Sequence, residues 1–307
     1  MATRSMSWAL SLKRSTPAAR RNHVRAYLFL APTLVVLGLV FLYPLVQLIP
    51  MSFQRIAIGR TTWVGLANFK YLLTGDPLVR QAVLNNVKLL VGVPVLTITA
   101  LFLAVLLYER VRGSNFYQAL LLLPYLLSIP VAGLVMKVLL RPDGAFNALL
   151  SAVGLGSLIR PWLGSAQLAI WTLLAVIIWR ELGLGVALFL AEMMSLDEEI
   201  FDAAKVDGVN WVQKTVHILV PQLSTVIGFY IILEMITLFS WTFAYVFVMT
   251  NGGPGFSTMV TEFAIYRFAV EKNMPHMAAA LSLLLFSFIL LLIWIQFRLR
   301  GQLMGED

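Results

Sequence analysis

Long apolar runs separated by short polar segments make up most of the chain. Six of these runs exceed the roughly 18 residues that a helix needs to cross the hydrocarbon core of a bilayer. The pattern predicts an all-α membrane protein with six transmembrane helices, at residues 27–51, 82–107, 117–140, 166–190, 223–249 and 277–297. We expect residues 1–25 to form a basic tail, residues 26–300 one membrane domain, and residues 301–307 a C-terminal tail.

Basic residues set the expected orientation of the helices. Six of them precede the first apolar run: Arg4, Lys13, Arg14, Arg20, Arg21 and Arg25. Positive charge is retained on the cytoplasmic side of membranes, so we expect the N-terminus to lie in the cytoplasm. Six crossings then return the C-terminus to the cytoplasm, together with the loop at 191–222. Residues 52–81, 141–165 and 250–276 would face outward.

Composition supports a membrane protein and excludes several kinds of site. Only 12% of the 307 residues are charged, about half the usual fraction in soluble domains. The net charge of +8 comes with a clustered basic tail, so nucleic acid is not an expected partner. Cysteine is absent, and His23, His217 and His276 lack metal-ligand spacing. We therefore expect no metal site, no catalytic site and no bound cofactor. The sequence also lacks a glycine-rich phosphate loop, so we expect no ATP site.

One charged segment, between the fourth and fifth runs, has the local signals of a short helix. Ser195 and Glu198 have the spacing of a capping box, and Asp197 and Glu199 add negative charge to the first helical turn. Gly208 permits a turn, and a second amphipathic turn precedes the fifth run. We expect a short cytoplasmic helix that docks into a groove on another protein. A solvated surface linker is the alternative.

The same segment carries a motif with fixed spacing. Asp202-Ala203-Ala204 is followed after three residues by Gly208, and after nine more by Ile218-x-Val220-Pro221. This resembles the EAA loop of ABC-importer permeases, which reads Glu-Ala-Ala, three residues, Gly, nine residues, Ile-x-Leu-Pro. Asp202 replaces the glutamate of that pattern, and Val220 replaces its leucine.

Shorter matches extend the resemblance over nearly the whole chain. They are Ala31-Pro32-Thr33, Tyr43-Pro44, Gly65-Leu66-x-Asn68-Phe69, Leu123-Pro124-Tyr125, Asn251 to Thr258, and Ala278-Ala279-Ala280. The chain is similar to the first permease subunit of maltose and glycerol-3-phosphate uptake systems. That family implies a bacterial-type inner membrane and a heterodimer with a second permease. It also implies two ATP-binding subunits that use ATP and Mg, and an extracytoplasmic solute-binding protein.

The resemblance also implies residues that couple the chain to the ATPase. They are Glu199, Phe201, Asp202, Ala203, Ala204, Asp207, Gly208, Ile218 and Pro221. A coupling helix at 199–213 would lie in a cleft of the ATPase and move the fourth and fifth spans when ATP closes the ATPase dimer. Phe201 would be its hydrophobic knob, and Ala203 and Ala204 would form a closely packed face.

Polar residues within the predicted spans are candidates for the solute pathway, because a charge in the hydrocarbon core usually faces the protein interior. The candidates are Arg180, Glu181, Tyr230, Glu234, Thr237, Trp241 and Tyr245. Arg180 and Glu181 are adjacent in sequence, so we expect their side chains to point apart, with Glu234 as the partner of Arg180. The alternative is a set of lipid-facing aromatic residues around one structural Arg–Glu pair.

Two other functions are alternatives to a permease subunit. A secondary transporter would use Glu234 or Glu181 to carry protons, but it leaves the docking segment unexplained. A membrane-embedded enzyme would need a nucleophile–base or metal pair, which the sequence lacks. The residues do not name the sugar, the ATPase, or the permease half that holds the solute. Pro124, Pro130, Gly183 and Gly185 are expected to interrupt spans, and residues 251–255 to form a turn.

Overall fold

The computed structural model describes residues 17–109, 112–197, 199–200, 204 and 206–304, and most of them are helical. The chain divides into two compact units, residues 1–50 and residues 51–307. In the first unit the helix Pro17–Leu37 runs into a π-helical turn, Gly38–Leu42, after which the helix Tyr43–Ser52 begins. The apolar side chains from Tyr27 to Val46 are largely exposed, as expected for a helix that contacts lipid or another subunit.

The second unit contains a small hairpin and a series of helices. The hairpin pairs Gln54–Ala57 with Arg60–Trp63. Helices follow at Ala67–Thr74, Pro77–Leu89, Gly92–Tyr108, Ser114–Leu126, Ile129–Leu139, Ala145–Ala152, Gly156–Leu158 (3-10) and Ala169–Met193. Beyond the charged segment they lie at Trp211–Gln213, Lys214–Leu219 (π), Val220–Gln222, Ser224–Ser240, Thr242–Met249, Thr261–Tyr266, Arg267–Glu271 (π) and Pro275–Met304.

Four helical stretches in the described part of the chain are long and apolar enough to cross a membrane. They are Tyr27–Ser52, Pro77–Tyr108, Ala169–Met193 and Pro275–Arg298, which correspond to predicted spans one, two, four and six. Two further candidates are bent pairs of helices: Ser114–Leu126 with Ile129–Leu139, and Trp211–Gln222 with Ser224–Ser240. The structure therefore supports four to six spans. We call Ser114–Leu126 with Ile129–Leu139 the third span. The name fifth span is kept for Ser224–Ser240 with Thr242–Met249, the helices that lie within the predicted span at 223–249, and Trp211–Gln222 precedes it.

Proline and glycine have different effects in the third and fourth spans. The third span bends by 99° between Leu126 and Ile129, with Pro124 and Pro130 on either side of the bend. The predicted interruption at Gly183 and Gly185 was wrong, because the helix Ala169–Met193 is continuous. These glycines instead allow close packing. A Cβ at position 183 would overlap the backbone of the third span, and one at position 185 would strike a tyrosine ring of the fifth.

The hairpin is an addition to the predicted all-helical fold. Gly59 has a positive φ of 75° and closes a two-residue turn between the strands. Phe53 stacks on Trp63, with ring centroids 5.6 Å apart. The buried Asn68 amide donates to the carbonyls of Ser52 and Gln54, both at 2.8 Å. Asn68, which belongs to a motif found in the sequence, therefore fixes the start of the hairpin.

The turn predicted at residues 251–255 is confirmed, and Asn85 and Asn86 of the second span hold the chain that follows it. Asn251, Gly252 and Gly255 all have positive φ. The fully buried Asn85 amide donates to the carbonyls of Ser257 and Met259 at 2.9 and 2.8 Å. The helix that follows this turn begins at Thr261.

Candidate functional site: the coupling segment and the intramembrane polar cluster

The coupling segment is our name for residues 191–222, the charged stretch between the fourth and fifth spans, and it is described around several gaps. Phe201, Asp202 and Ala203, three of the predicted coupling residues, lie outside the described residues, as does Glu198 of the predicted capping box. Glu199, on the near side of the gap, is helical and exposed. The Ser195 hydroxyl donates to the Glu192 carbonyl at 2.8 Å, at the end of the fourth span.

Gly208 ends the helical part of this segment with a recognisable C-terminal motif. Its φ is +70°, and the Val209 N–H donates to the Ala204 carbonyl at 3.1 Å. A left-handed residue followed by a bond back over five residues is the Schellman arrangement. Among the described residues, no atom lies within 4 Å of a Cβ placed at position 208, and the positive φ is the reason for glycine here.

The two faces of this segment differ in exposure. Ala204 is only 5% exposed, so its methyl group packs within this chain. Val206 is 88% exposed, and Asp207 and Gly208 are exposed beside it. An apolar valine in water suits contact with another protein. Ala204 therefore packs the segment against its own chain, whereas Val206 and Asp207 form an exposed surface that is available to a partner protein.

The second half of the segment is anchored more firmly. Asn210 and Gln213 form a reciprocal capping box, with bonds of 2.9 and 3.0 Å, which the Asn-x-x-Gln spacing signals in the sequence. Ile218 is half-buried, Leu219 and Leu223 are fully buried, and Pro221 is exposed. Their core also contains residues of the second and fourth spans.

Arg180 and Glu181 form an ion pair with each other, so the prediction that they point apart was wrong. The long arginine side chain folds back beside its neighbour, because its remaining donors have fixed targets. Nε donates to the Leu127 carbonyl at 3.0 Å, and a terminal nitrogen donates to the Tyr125 carbonyl at 3.1 Å. The Tyr245 hydroxyl donates to Glu181 at 3.3 Å. Arg180 thus satisfies carbonyls that the bend in the third span leaves without helical partners.

Glu234 is not the partner of Arg180, contrary to expectation. Its side chain is fully buried, and neither carboxylate oxygen has a hydrogen-bond partner among the described residues. Tyr230 lies one helical turn earlier, but its hydroxyl is not within hydrogen-bonding geometry of the carboxylate. The Tyr230 ring packs edge-on against Phe189, with centroids 5.2 Å apart. Tyr230 and Glu234 therefore lie inside the packed helices of this chain.

The remaining pathway candidates lie elsewhere. Trp241 is 57% exposed at the break within the fifth span, and Thr237 is half-buried one turn before it. Tyr245 is buried. An apolar cavity of about 660 Å³ lies between the third and fourth spans. None of the seven predicted pathway residues lines it. The structure thus separates the candidates into an interior cluster and the surface pair Thr237 and Trp241.

Comparison with known proteins decides the family. Residues 73–301 match the family described as binding-protein-dependent transport system inner membrane component. The chain belongs to this family. As a permease of that family it is a non-catalytic, multi-pass inner-membrane subunit of an ABC importer, and ATP is hydrolysed by a partner chain.

Individual relatives of this permease span nearly its whole length. A probable ABC transporter permease protein of Bacillus subtilis, YurN, is 30% identical and covers 85% of this chain and 91% of its own length. The arabinooligosaccharides transport system permease protein AraP of the same organism is 28% identical and covers 91% and 90%.

Solved structures give the same fold. A bacterial ABC transporter that imports the acidic polysaccharide alginate superimposes with a TM-score of 0.81 at 20% identity, covering 93% of this permease and 97% of that chain. The alginate transporter in complex with a periplasmic protein bound to an alginate pentasaccharide gives 0.78 at 23% identity, covering 91% and 94%.

Proposed function

We propose that this permease forms one half of the translocation pathway of a carbohydrate importer. The observation that carries the proposal is the family match together with a docking segment whose Gly208 adopts the left-handed turn that the EAA spacing requires. Its named relative AraP belongs to an arabinooligosaccharide system. Its structural relatives belong to an alginate importer. A sugar or sugar oligomer is therefore the substrate class that the comparisons favour.

The proposed assembly contains a second permease, two ATP-binding subunits and an extracytoplasmic solute-binding protein. Both termini and the 191–222 segment lie in the cytoplasm, where the helix around Ala204 enters a cleft of the ATPase. ATP-driven closure moves this segment, and the fourth and fifth spans move with it. Support for this placement comes from the basic N-terminal tail and from the exposed apolar Val206.

The solute pathway is proposed to lie along the exposed side of the fifth span. Trp241 offers an aromatic face to the apolar side of a sugar ring, and Thr237 offers a hydroxyl to its polar groups. Tyr230, Glu234, Tyr245, Arg180 and Glu181 would shape this wall from behind. Their burial within the chain favours that indirect role in the conformation described here.

Reconstitution of the complete transporter in lipid vesicles tests the proposed function. The permease is co-expressed with its partner subunits, and ATP hydrolysis is measured with and without the solute-binding protein across a panel of oligosaccharides. We expect one carbohydrate class to stimulate hydrolysis and to accumulate inside the vesicles. Uptake that continues without ATP and follows an ion gradient would contradict the proposal.

A further inference from the structure

The coupling segment is attached to the second span as well as to the fifth, which follows it in sequence. The Lys214 ammonium lies 2.5 Å from a carboxylate oxygen of Glu109. Glu109 directly follows the last helical residue of the second span, Tyr108. The two side chains are only 20% and 34% exposed, so this charge-assisted contact is partly shielded from water. It joins positions 105 residues apart in the sequence.

An aromatic contact strengthens the same attachment. The Trp211 ring meets Phe102 of the second span edge-on, with centroids 6.4 Å apart. Trp211 and Lys214 are three residues apart on a helical turn, so both side chains leave the same face. The capping box of Asn210 and Gln213 sets the start of that turn, and the Lys214 N–H donates to the Asn210 carbonyl at 2.9 Å.

The attachment continues toward the membrane. Leu219 and Leu223 are fully buried in a core that includes Leu96 and Ala104 of the second span. From Asn210 onward the segment is thus joined to the second span by an ion pair, a ring contact and a buried core. Gly208 lies just before this attached region, and no described residue has an atom within 4 Å of a Cβ placed there. The segment therefore has an exposed turn at Gly208, followed from Trp211 onward by a region that is attached to the second span.

We infer that Glu109 and Lys214 are positioning residues that make the second span move with the coupling segment. This inference rests on the proposed function, in which the ATPase pushes on that segment. A push received near Val206 reaches the second span through the ion pair and the Trp211 contact, and it reaches the fifth span through the chain. The two spans then move as one body, which tightens the link between ATP hydrolysis and opening of the pathway.

The test uses the complete transporter in lipid vesicles and measures sugar molecules transported per ATP hydrolysed. Glu109→Gln and Lys214→Met should each lower this ratio several-fold, with normal co-purification of the ATP-binding subunits. The charge exchange Glu109→Lys with Lys214→Glu restores the pair in reverse and should recover at least half of the wild-type ratio. Glu271→Gln is the matched control, because the Arg267–Glu271 ion pair has similar exposure in the segment before the sixth span.

The possible results separate the inference from the proposed function. Single variants with a wild-type ratio would overturn the inference, as would an exchange variant no better than the single ones. In both cases the wild-type transporter would still show sugar-stimulated hydrolysis. A wild-type complex without sugar-stimulated hydrolysis would overturn the proposed function and this inference with it. Recovery by the exchange variant would show that the ion pair itself is responsible. If a single substitution had instead disrupted the fold, a second charge change would not repair it.

Discussion

Arg180 lies over the ring of Tyr125, 5.0 Å from its centroid, and donates a hydrogen bond to the carbonyl of the same residue. The fourth span thereby holds the end of the helix Ser114–Leu126, where the third span turns by 99°. The positive charge also lies at the negative end of that helix. An intramembrane charge that the sequence marks as a pathway candidate is thus fully engaged within its own chain.

Arg180→Met should destabilise the permease strongly. It removes the partner of the buried Glu181 and leaves two carbonyls of the bend unsatisfied, a combination that costs about 3–5 kcal/mol. Arg180→Lys should rescue little, because an ammonium lacks the planar fork that reaches both carbonyls. Thermal unfolding of the purified complex measures the effect. Arg141→Met is the control, since the Arg141–Asp143 pair is exposed. A wild-type midpoint for Arg180→Met would contradict this role.

Gly208→Val should uncouple ATP hydrolysis from uptake while membrane insertion stays normal. A β-branched side chain at a φ of +70° strains the backbone by about 1–2 kcal/mol and shifts the turn that orients the exposed Val206. Uptake and ATP turnover in vesicles check this together. Gly154→Val is a matched control, because Gly154 has a φ of +80° and equal open space but lies in the segment between the third and fourth spans. Equal losses of coupling in both variants would show that strain alone is responsible.

Trp241→Ala should raise the sugar concentration for half-maximal stimulation of ATP hydrolysis by about tenfold, the equivalent of about 1.4 kcal/mol. The exposed ring is available to a sugar, and its removal leaves the core intact. Tyr230→Phe should leave that concentration unchanged, because its hydroxyl is buried and has no hydrogen-bond partner among the described residues. Titrations with the stimulating sugar distinguish the two. An effect of Tyr230→Phe larger than that of Trp241→Ala would place the pathway on the other side of the fifth span.

Glu262 should make the stability of the permease depend on pH. Burial raises the pKa of Glu262 from its ordinary value near 4.5 to about 8, against the opposing effect of the Asn86 amide. The unfolded chain releases this proton at lower pH, so stability falls as pH rises from about 4.5 to about 8, by at most about 1.4 kcal/mol per pH unit. Above about pH 8 the dependence from this group ends.

Glu262→Gln removes that titration and keeps a group that can accept from Asn86. The thermal midpoint of the variant should therefore rise relative to that of the wild type between about pH 4.5 and about pH 8. Above about pH 8 the difference between the two midpoints should stay constant. Parallel curves for the two proteins at all pH values would show that Glu262 is ionised in the folded state.

Hydropathy predicts the positions of the spans because the bilayer imposes a length on each apolar run. Pro124 and Pro130 mark the break in the third span, as expected, but neither they nor hydropathy predict its angle of 99° or the bond from Arg180 to the Leu127 carbonyl. Neighbours in sequence such as Arg180 and Glu181 were expected to diverge, but distant carbonyls redirect the arginine. In the sequence, Gly183 resembles a residue that interrupts a helix. In the structure it allows the backbone of the third span to approach closely, and this role becomes visible only when that span is in place.

In the candidate site, too, the sequence predicts local backbone features but not contacts between distant residues. The EAA spacing locates the coupling segment and its turn at Gly208, because a fixed motif encodes local backbone geometry. The Lys214–Glu109 pair and the Asn85 clamp join residues far apart in the chain, and single-sequence patterns carry no information about such partners. The amides of Asn85 and Asn86 within an apolar run were the available signal for the clamp.

Chemical cross-linking from Val206 tests most directly whether this segment receives force from an ATPase. The chain has no cysteine, so Val206→Cys supplies a single exposed thiol, and Phe256→Cys, in the segment that we propose faces outward, supplies its control. We expect the Val206→Cys thiol to cross-link to the ATP-binding subunit, to change in yield when ATP is added, and to resist a membrane-impermeant thiol reagent applied from outside the cell. Labelling of that thiol from outside, or a complete lack of cross-links to the ATP-binding subunit in the intact complex, would contradict the coupling role.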